Sequence, residues 1–199
     1  MRIGVLGGTF DPIHLGHLAA AQAAIDCERL DRVIFIPTGS PPHRGEAQAS
    51  AQQRLEMCRL AIDEVEKLEV SDLEVNRAGP SYTVDTLREL KRLHPDDKLF
   101  LILGWDAAKQ FNTWHEPAEV RAKASVIVVT RPGSGPLTGM GLEAVGLGHP
   151  WTTVCERQTP DISGSALRRA IAQGEPVTDR VPEPVERYIA KNRLYMDNR

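Results

Sequence analysis

Two histidines, His14 and His17, stand three residues apart in the segment Gly7-Gly8-Thr9-Phe10-Asp11-Pro12-Ile13-His14-Leu15-Gly16-His17. A short apolar run, 2–6, precedes the segment, and small residues with Leu18, Ala21 and Ile25 at helical spacing follow it. It is therefore the turn from a first strand into a first helix. Gly7 and Gly8 let the backbone turn sharply and approach a ligand closely, and Pro12 stiffens the turn. Gly16 leaves room for a bulky anion against the helix start. That start offers unpaired N–H groups and the positive end of the helix dipole. At their spacing both imidazoles face one ligand. Each of these features suits a phosphate.

A second candidate cluster is Ile162-Ser163-Gly164-Ser165-Ala166-Leu167-Arg168. Ser163 and Ser165 cap a helix start and can hydrogen-bond phosphate oxygens, and Arg168, one turn further, can bond them bidentately. By itself the segment is an ordinary capped helix. Other phosphate and metal motifs are missing. Gly4-Val5-Leu6-Gly7-Gly8 is not the GxGxxG of a dinucleotide fold, and no GxxxxGK[ST] loop occurs. The His–x–x–His pair lacks the nearby carboxylate or Cys partners of a zinc site, and HExxH is absent. No protein-bound metal is expected.

The elements that must hold these groups alternate between strand and helix. Strands are expected at 2–6, 33–36, 69–75, 99–103, 126–129 and 152–156, from apolar or β-branched runs bounded by turn residues. The runs at 99–103 and 126–129 are apolar throughout, as in parallel strands covered on both faces. Helices are expected from near Gly16, over 53–67 with Leu55, Cys58, Ile62 and Val65 inward, and over 83–93 with Val84, Leu87 and Leu90 inward. One or two more fall within 106–123, one after Ser163 and one from about Pro184. The charge run at 63–67 is the wet face of the second helix. Composition makes 38–50 a loop, and 133–148, with six of the sixteen glycines, a mobile loop. The alternation implies a doubly wound α/β domain, a mostly parallel sheet with helices on both faces, with ligands beyond the carboxyl ends of the strands. One domain is expected over 1–199, with a small C-terminal helical part at about 162–199.

Composition removes several function classes. Lys+Arg 24 against Asp+Glu 27 gives a net charge of −3, which argues against a broad basic footprint for nucleic acid but not against a local anion site. The longest apolar runs are about five residues, too short to span a membrane, and the N-terminus lacks the apolar core of a signal peptide. Cys27, Cys58 and Cys155 are odd in number, distant and free of CxxC spacing. That pattern predicts a reduced, cytoplasmic protein with no disulfide and no structural zinc. Cys58 is expected as a small buried hydrophobe. The oligomeric state stays open, a homo-oligomer included.

The first segment resembles the signature of the nucleotidyltransferase superfamily, whose members carry T/HxGH at this place. Ile162–Arg168 matches that superfamily's second motif, ISxxxxR. Class I aminoacyl-tRNA synthetases share the histidine motif, but they also need a KMSKS-type loop and tRNA-binding domains, for which this chain has no room.

Three further segments resemble the bacterial nicotinate-nucleotide adenylyltransferase family, and the similarity runs from Arg2 to the terminal helix. Pro41-Pro42-His43-Arg44 stands where that family has PPHK, so Arg44 replaces a Lys and offers a planar fork instead of a point charge. Gly79-Pro80-Ser81-Tyr82-Thr83 opens a helix, and the resemblance implies that the backbone at Tyr82 and Thr83 faces a pyridine carboxylate. A helix start favours that anion over a neutral amide. Gly104-Trp105-Asp106 ends the fourth strand, with Asp106 placed to accept bonds from a ribose, but the family usually has Gly-Ala-Asp. Trp105 can therefore stack on a ligand, fill the pocket or point into the core. Trp114 aligns with the family tryptophan on which the pyridine ring stacks.

The reaction the resemblance implies joins ATP and nicotinate mononucleotide into nicotinate adenine dinucleotide and releases pyrophosphate. Thr9, Phe10 through its backbone, and Arg44 would hold the mononucleotide phosphate, with Tyr82, Thr83 and Trp114 on its pyridine ring. Gly7, Gly8, Gly16, Gly104, Asp106, Ile162, Ser163 and Ser165 would line the ATP site. His14, His17 and Arg168 are the candidate catalytic groups on its phosphates, and Mg2+ arrives with ATP. A pantetheine-phosphate adenylyltransferase shares the outer motifs but not the segments at 79–83 and 111–114. A nucleotide-binding sensor would be expected to lose a motif histidine or the motif arginine, and all three are present.

Overall fold

Six apolar strands form one parallel sheet in the computed structural model, which describes residues 1–40, 47–130, 139–157 and 159–196, with backbone only at 139–140. The strands are β1 (Arg2–Gly8), β2 (Arg32–Pro37), β3 (Leu68–Val70), β4 (Lys98–Gly104), β5 (Ser125–Val129) and β6 (Thr152–Cys155). Their order is β3-β2-β1-β4-β5-β6, and every neighbouring pair is parallel. The order reverses between β1 and β4, the place where doubly wound sheets open a ligand crevice. The paired register of these two strands runs only from Arg2↔Lys98 to Val5↔Leu101. β1 stays paired with β2 as far as Gly8↔Pro37. The carboxyl ends of β1 and β4 therefore splay apart.

The period-two alternation of strand side chains divides the core in two. Leu6, Val33, Phe35, Phe100, Ile102, Ile127 and Val129 point to one face, with α1 (Leu15–Glu28), α2 (Ala51–Ile62), α7 (Gly164–Ala172) and α8 (Glu183–Lys191). Ile3, Val5, Ile34, Ile36, Leu99, Leu101, Leu103, Val126 and Val128 point to the other, with α3 (Thr83–Leu93), α4 (Trp105–Lys109), α5 (Pro117–Lys123) and α6 (Gly139–Ala144). Both faces are covered, as the uninterrupted apolar runs predict. Helices α7 and α8, with the turn as far as Tyr195, share their core with α1 and α2.

Four expectations need correction. The second helix ends at Ile62 instead of Lys67. Asp63 leaves the helical region with ψ 127, and Glu64 and Lys67 take positive φ. The run 63–67 is thus a turn, and Val65 is exposed despite its spacing. β3 has three residues instead of the seven at 69–75; beyond it the chain turns inward, burying Glu74.

Of the stretch 133–148, residues 133–138 lie outside the described residues, while 139–144 form α6. Leu142 and Leu147 are buried, and Gly146, at φ 76, ends the helix. The Leu147 N–H donates to Leu142 at 2.7 Å and the Gly146 N–H to Glu143 at 2.9 Å, closing a Schellman turn. A glycine count sees the turn and misses the helix it terminates. Finally, Cys27 and Cys155 are joined as a disulfide across 128 residues. Their proximity is made by α1 packing over the β6 edge, which sequence spacing does not reveal. Cys58 is buried and free, as expected.

Candidate active site

The loop from β1 to α1 is held from below by a buried cation. Arg54, on α2, is 1% exposed. Its Nη1 donates to the Thr9 carbonyl at 2.6 Å, its Nε to the Ala49 carbonyl at 3.2 Å and its Nη2 to the Gly39 carbonyl at 3.3 Å. One guanidinium thereby ties the loop that follows β1 to both ends of the connection between β2 and α2. Burial pulls its pKa down, and the Asp11 carboxylate acts in the opposite sense.

Asp11 is the counterpart in the same loop, and it too is buried. Its carboxylate accepts from the backbone N–H groups of Gln48, at 2.9 Å, and Ala49, at 3.1 Å. The Tyr195 hydroxyl donates to it at 2.7 Å. Burial, reinforced by that bond, pushes the Tyr195 phenol up, so it serves as a neutral donor. On its main chain Asp11 accepts again: Arg168 Nη1 donates to its carbonyl at 2.7 Å. Phe10 sits at φ 50 between these anchors. Its ring packs edge-on to His17 at 4.9 Å and against Phe35 at 5.7 Å. A side chain so placed holds a left-handed backbone that costs a bulky residue about 1 kcal/mol.

His14 and His17 meet as the spacing predicts. Their rings stack at 3.7 Å with 23° between planes. His14 is the N-cap of α1, its carbonyl accepting from the His17 backbone N–H at 2.9 Å. The His14 N–H donates in turn to His17 Nδ1 at 3.2 Å. A neutral His17 that accepts at Nδ1 carries its proton at Nε2. His14 is buried and His17 half-buried, so His17 is the more accessible of the two. Gly16 serves a closer purpose than making room for an anion: a Cβ there would lie 3.0 Å from His14 Nδ1 and 3.3 Å from the Pro160 carbonyl.

α7 brings the second motif to the same place. Ser163 caps it, accepting from the Ala166 N–H at 3.2 Å, and its hydroxyl lies 3.3 Å from that of Ser165. Ile162 is buried, so only its backbone can meet a ligand. A Cβ on Gly164 would stand 3.2 Å from the Asp11 carbonyl, so this glycine allows α7 to close on the loop. Gly7 and Gly104, at the splayed ends of β1 and β4, face open space. Asp106, just beyond, is exposed and pairs with Lys109 at 3.2 Å.

The other face of the sheet carries the candidate mononucleotide groups. Tyr82 caps α3, with Thr83 first in that helix. Tyr82 and Trp114 both pack at the edge of the second core. The Tyr82 ring meets that of His115 at 4.4 Å, and Trp114 lies 5.4 Å from Phe111. Trp105 packs on the same core with Lys109 Nζ 5.4 Å from its ring, which favours the inward reading of this residue. Arg44 lies outside the described residues. The turn at 79–83 is fixed by Ser81, whose hydroxyl accepts from the Gly39 N–H at 3.1 Å and the Ser40 N–H at 3.3 Å. Beneath it Thr86 donates to the buried Glu74 at 2.6 Å. Burial raises the Glu74 carboxyl above its ordinary range, opposed by bonds from Thr86 and Ser81 and by Arg77.

Sequence reasoning missed Arg54, Asp11 as a hub, Tyr195 and His115. A lone Arg on a predicted helix and a Tyr near the terminus carry no spacing signal. Among the described residues no group of three or more His, Cys, Asp or Glu is arranged for a metal ion, and no helix is long and apolar enough to cross a membrane.

Comparison with known proteins agrees with this fold. The cytidylyltransferase-like family model matches residues 5–170. A Thermus thermophilus protein named probable nicotinate-nucleotide adenylyltransferase is 46% identical over 195 residues, covering 98% of this chain and 100% of that protein. A relative of the same name from Geobacter sp. is 41% identical, with 100% of both chains covered. Among solved structures, nicotinic acid mononucleotide adenylyltransferase of Plasmodium falciparum complexed with NaAD shares the fold, with a TM-score of 0.79 at 20% identity over 98% of this chain and 97% of that one.

Replacing Arg54 by Met keeps its approximate volume but leaves three buried carbonyls and Asp11 without their cation. We expect a loss of about 3–5 kcal/mol in unfolding free energy, measured by urea titration.

Proposed function

The chain belongs to the cytidylyltransferase-like family and, within it, to the nicotinate-nucleotide adenylyltransferases, and from that premise we propose that it transfers the adenylyl group of ATP to nicotinate mononucleotide. The observation that carries this reading is the junction at the splayed β1/β4 crevice. There the start of α1, with His17, and the start of α7, with Ser163 and Ser165, are tied together by the 2.7 Å bond from Arg168 to the Asp11 carbonyl. Two helix N-termini, an imidazole and a guanidinium at one place make an anion site suited to a polyphosphate.

In the reaction an oxygen of the mononucleotide phosphate attacks the α-phosphorus of ATP, and the bond to the bridging oxygen of pyrophosphate breaks. The nucleophile is already anionic, so no general base and no covalent intermediate are needed. What opposes reaction is repulsion between anions and the charge gathering on the leaving pyrophosphate. Catalysis then rests on position and electrostatics. His17 Nε2, the Ser165 hydroxyl and Arg168 would meet ATP phosphate oxygens, with His14 stacked beneath to orient His17. Gly7, Gly8, Gly16 and Gly104 would let the nucleotide lie close to backbone, with Asp106 toward its ribose and Ile162 and Ser163 at the phosphate end. Thr9, the Phe10 backbone and Arg44 would hold the mononucleotide phosphate in line.

Mg2+ enters as part of the ATP substrate. The imidazole, hydroxyl and guanidinium donors of the crevice complement phosphate oxygens, not a cation, so they fit a metal that rides on phosphates and water. The pyridine ring would lie against Trp114, its carboxylate toward the N–H groups at the start of α3. A helix start rewards that anion and not the corresponding amide.

The deciding experiment follows pyrophosphate release from ATP and Mg2+ with nicotinate mononucleotide, nicotinamide mononucleotide or phosphopantetheine as acceptor. Nicotinate mononucleotide should be clearly preferred. Turnover only with phosphopantetheine would keep the chemistry and overturn the substrate. In the same assay His17→Ala should lower kcat by about 10²–10³ with little change in KM, and a loss under fivefold would remove its catalytic role. Trp114→Ala should raise KM for the mononucleotide and spare that for ATP; an equal rise for both would count against stacking.

A further inference from the structure

The residue that reaches the phosphate loop from furthest away belongs to neither motif. After α8 the chain turns back through Arg193 at φ 51 and Tyr195 at φ 63, and the Leu194 N–H closes the turn on the Ile189 carbonyl at 3.0 Å. Two left-handed residues without glycine are unfavourable and persist only where the surroundings fix them. What the turn delivers is a buried phenol whose hydroxyl bonds Asp11 Oδ1 at 2.7 Å across 184 residues. Packing alone does not ask for that hydroxyl, because phenylalanine fills nearly the same volume.

Asp11 is where the hydroxyl has its effect. Its carboxylate has the two backbone donors of Gln48 and Ala49 on one side and Tyr195 on the other, so three bonds fix the orientation of this residue. The same residue's carbonyl receives Arg168 Nη1, which also lies 3.7 Å from Asp11 Oδ2. One nitrogen of the guanidinium is thus committed to Asp11, and the plane of the fork follows the peptide that Asp11 presents. Gly164, with its Cα facing the same carbonyl, keeps the approach close.

We propose that Tyr195 is a positioning residue for adenylyl transfer, fixing Asp11 through its hydroxyl and so the carbonyl that aims Arg168 at the nucleotide phosphates. The proposal rests on the adenylyl-transfer reading of Arg168. It makes Tyr195 part of the site's support through Asp11. Its effect is read through Arg168, in ATP binding and turnover; the pyridine-ring groups Tyr82 and Trp114 pack on the other core, away from this contact.

The test compares the full-length protein with Tyr195→Phe, Arg168→Lys and the double variant. It measures pyrophosphate release, the Kd for ATP with Mg2+ in the absence of acceptor, and thermal unfolding. Tyr195→Phe should lower kcat about tenfold and weaken ATP binding about fivefold. In the Arg168→Lys background it should change kcat and Kd by less than twofold, because the arginine through which it acts is already gone. A kcat and Kd within twofold of the parent, or the same factor in both backgrounds, would overturn the proposal, even with a lowered Tm. Should Tyr195→Phe fail to fold, Tyr195→Met, which also removes the hydroxyl and leaves the Asp11 charge in place beside Arg54, is held to the same outcomes. If the parent shows no turnover with nicotinate mononucleotide, the substrate reading falls, and the ATP Kd values across the four proteins still decide the role of Tyr195.

Discussion

A guanidinium with almost no exposure to water is the constraint on which the arrangement depends. Removing a charge from water is costly unless every donor finds a partner. Arg54 meets that demand by drawing in three main-chain carbonyls, those of Thr9, Gly39 and Ala49. The carbonyls belong to the β1–α1 loop and to the two ends of the β2–α2 connection, which Asp11 also joins through the Gln48 and Ala49 N–H groups. Asp11 supplies the opposite charge from within the first of them and fills its own lone pairs with N–H and O–H donors. The polar interior of this protein is therefore a joint, and its members are the loops that carry the chemistry.

On that joint the sheet contributes direction. Parallel strands end together, so the loops that follow β1, β2 and β4 emerge on one side, and the reversal of order between β1 and β4 leaves a gap there. Into the gap point the starts of α1 and α7, and near it the start of α3. Each is a helix N-terminus, the positive end of its dipole, so the field is positive where phosphates and a carboxylate would lie. The net charge of −3 shows that this field is local and owes nothing to the protein's overall balance.

Most of the scaffold was legible from spacing. The apolar runs at 99–103 and 126–129 became buried strands, and Val84, Leu87 and Leu90 became the buried stripe of α3. His14 and His17 met because residues three apart share a helix face, and Ser163 capped its helix. Local patterns report local structure well. They overran at Val65, where a helical spacing continued into a turn, and fell short at α6, where glycines concealed a helix. What stayed invisible was every contact made across the chain. The Cys27–Cys155 bond, the Arg54 joint, the Tyr82–His115 contact and the Tyr195 hydroxyl all join residues whose neighbourhood exists only after folding.

The bond between positions 11 and 195 also sets an order in time. A ribosome adds about 5–20 residues per second, so the first loop waits on the order of ten to forty seconds for its last partner to be made. Strands β1 and β2 can pair while synthesis continues, and the motif around His17 is available early. The seat of Arg168 is finished only when the end of the chain folds back over its beginning. A nascent chain that has not yet reached Tyr195 thus holds the recognisable signature without this support.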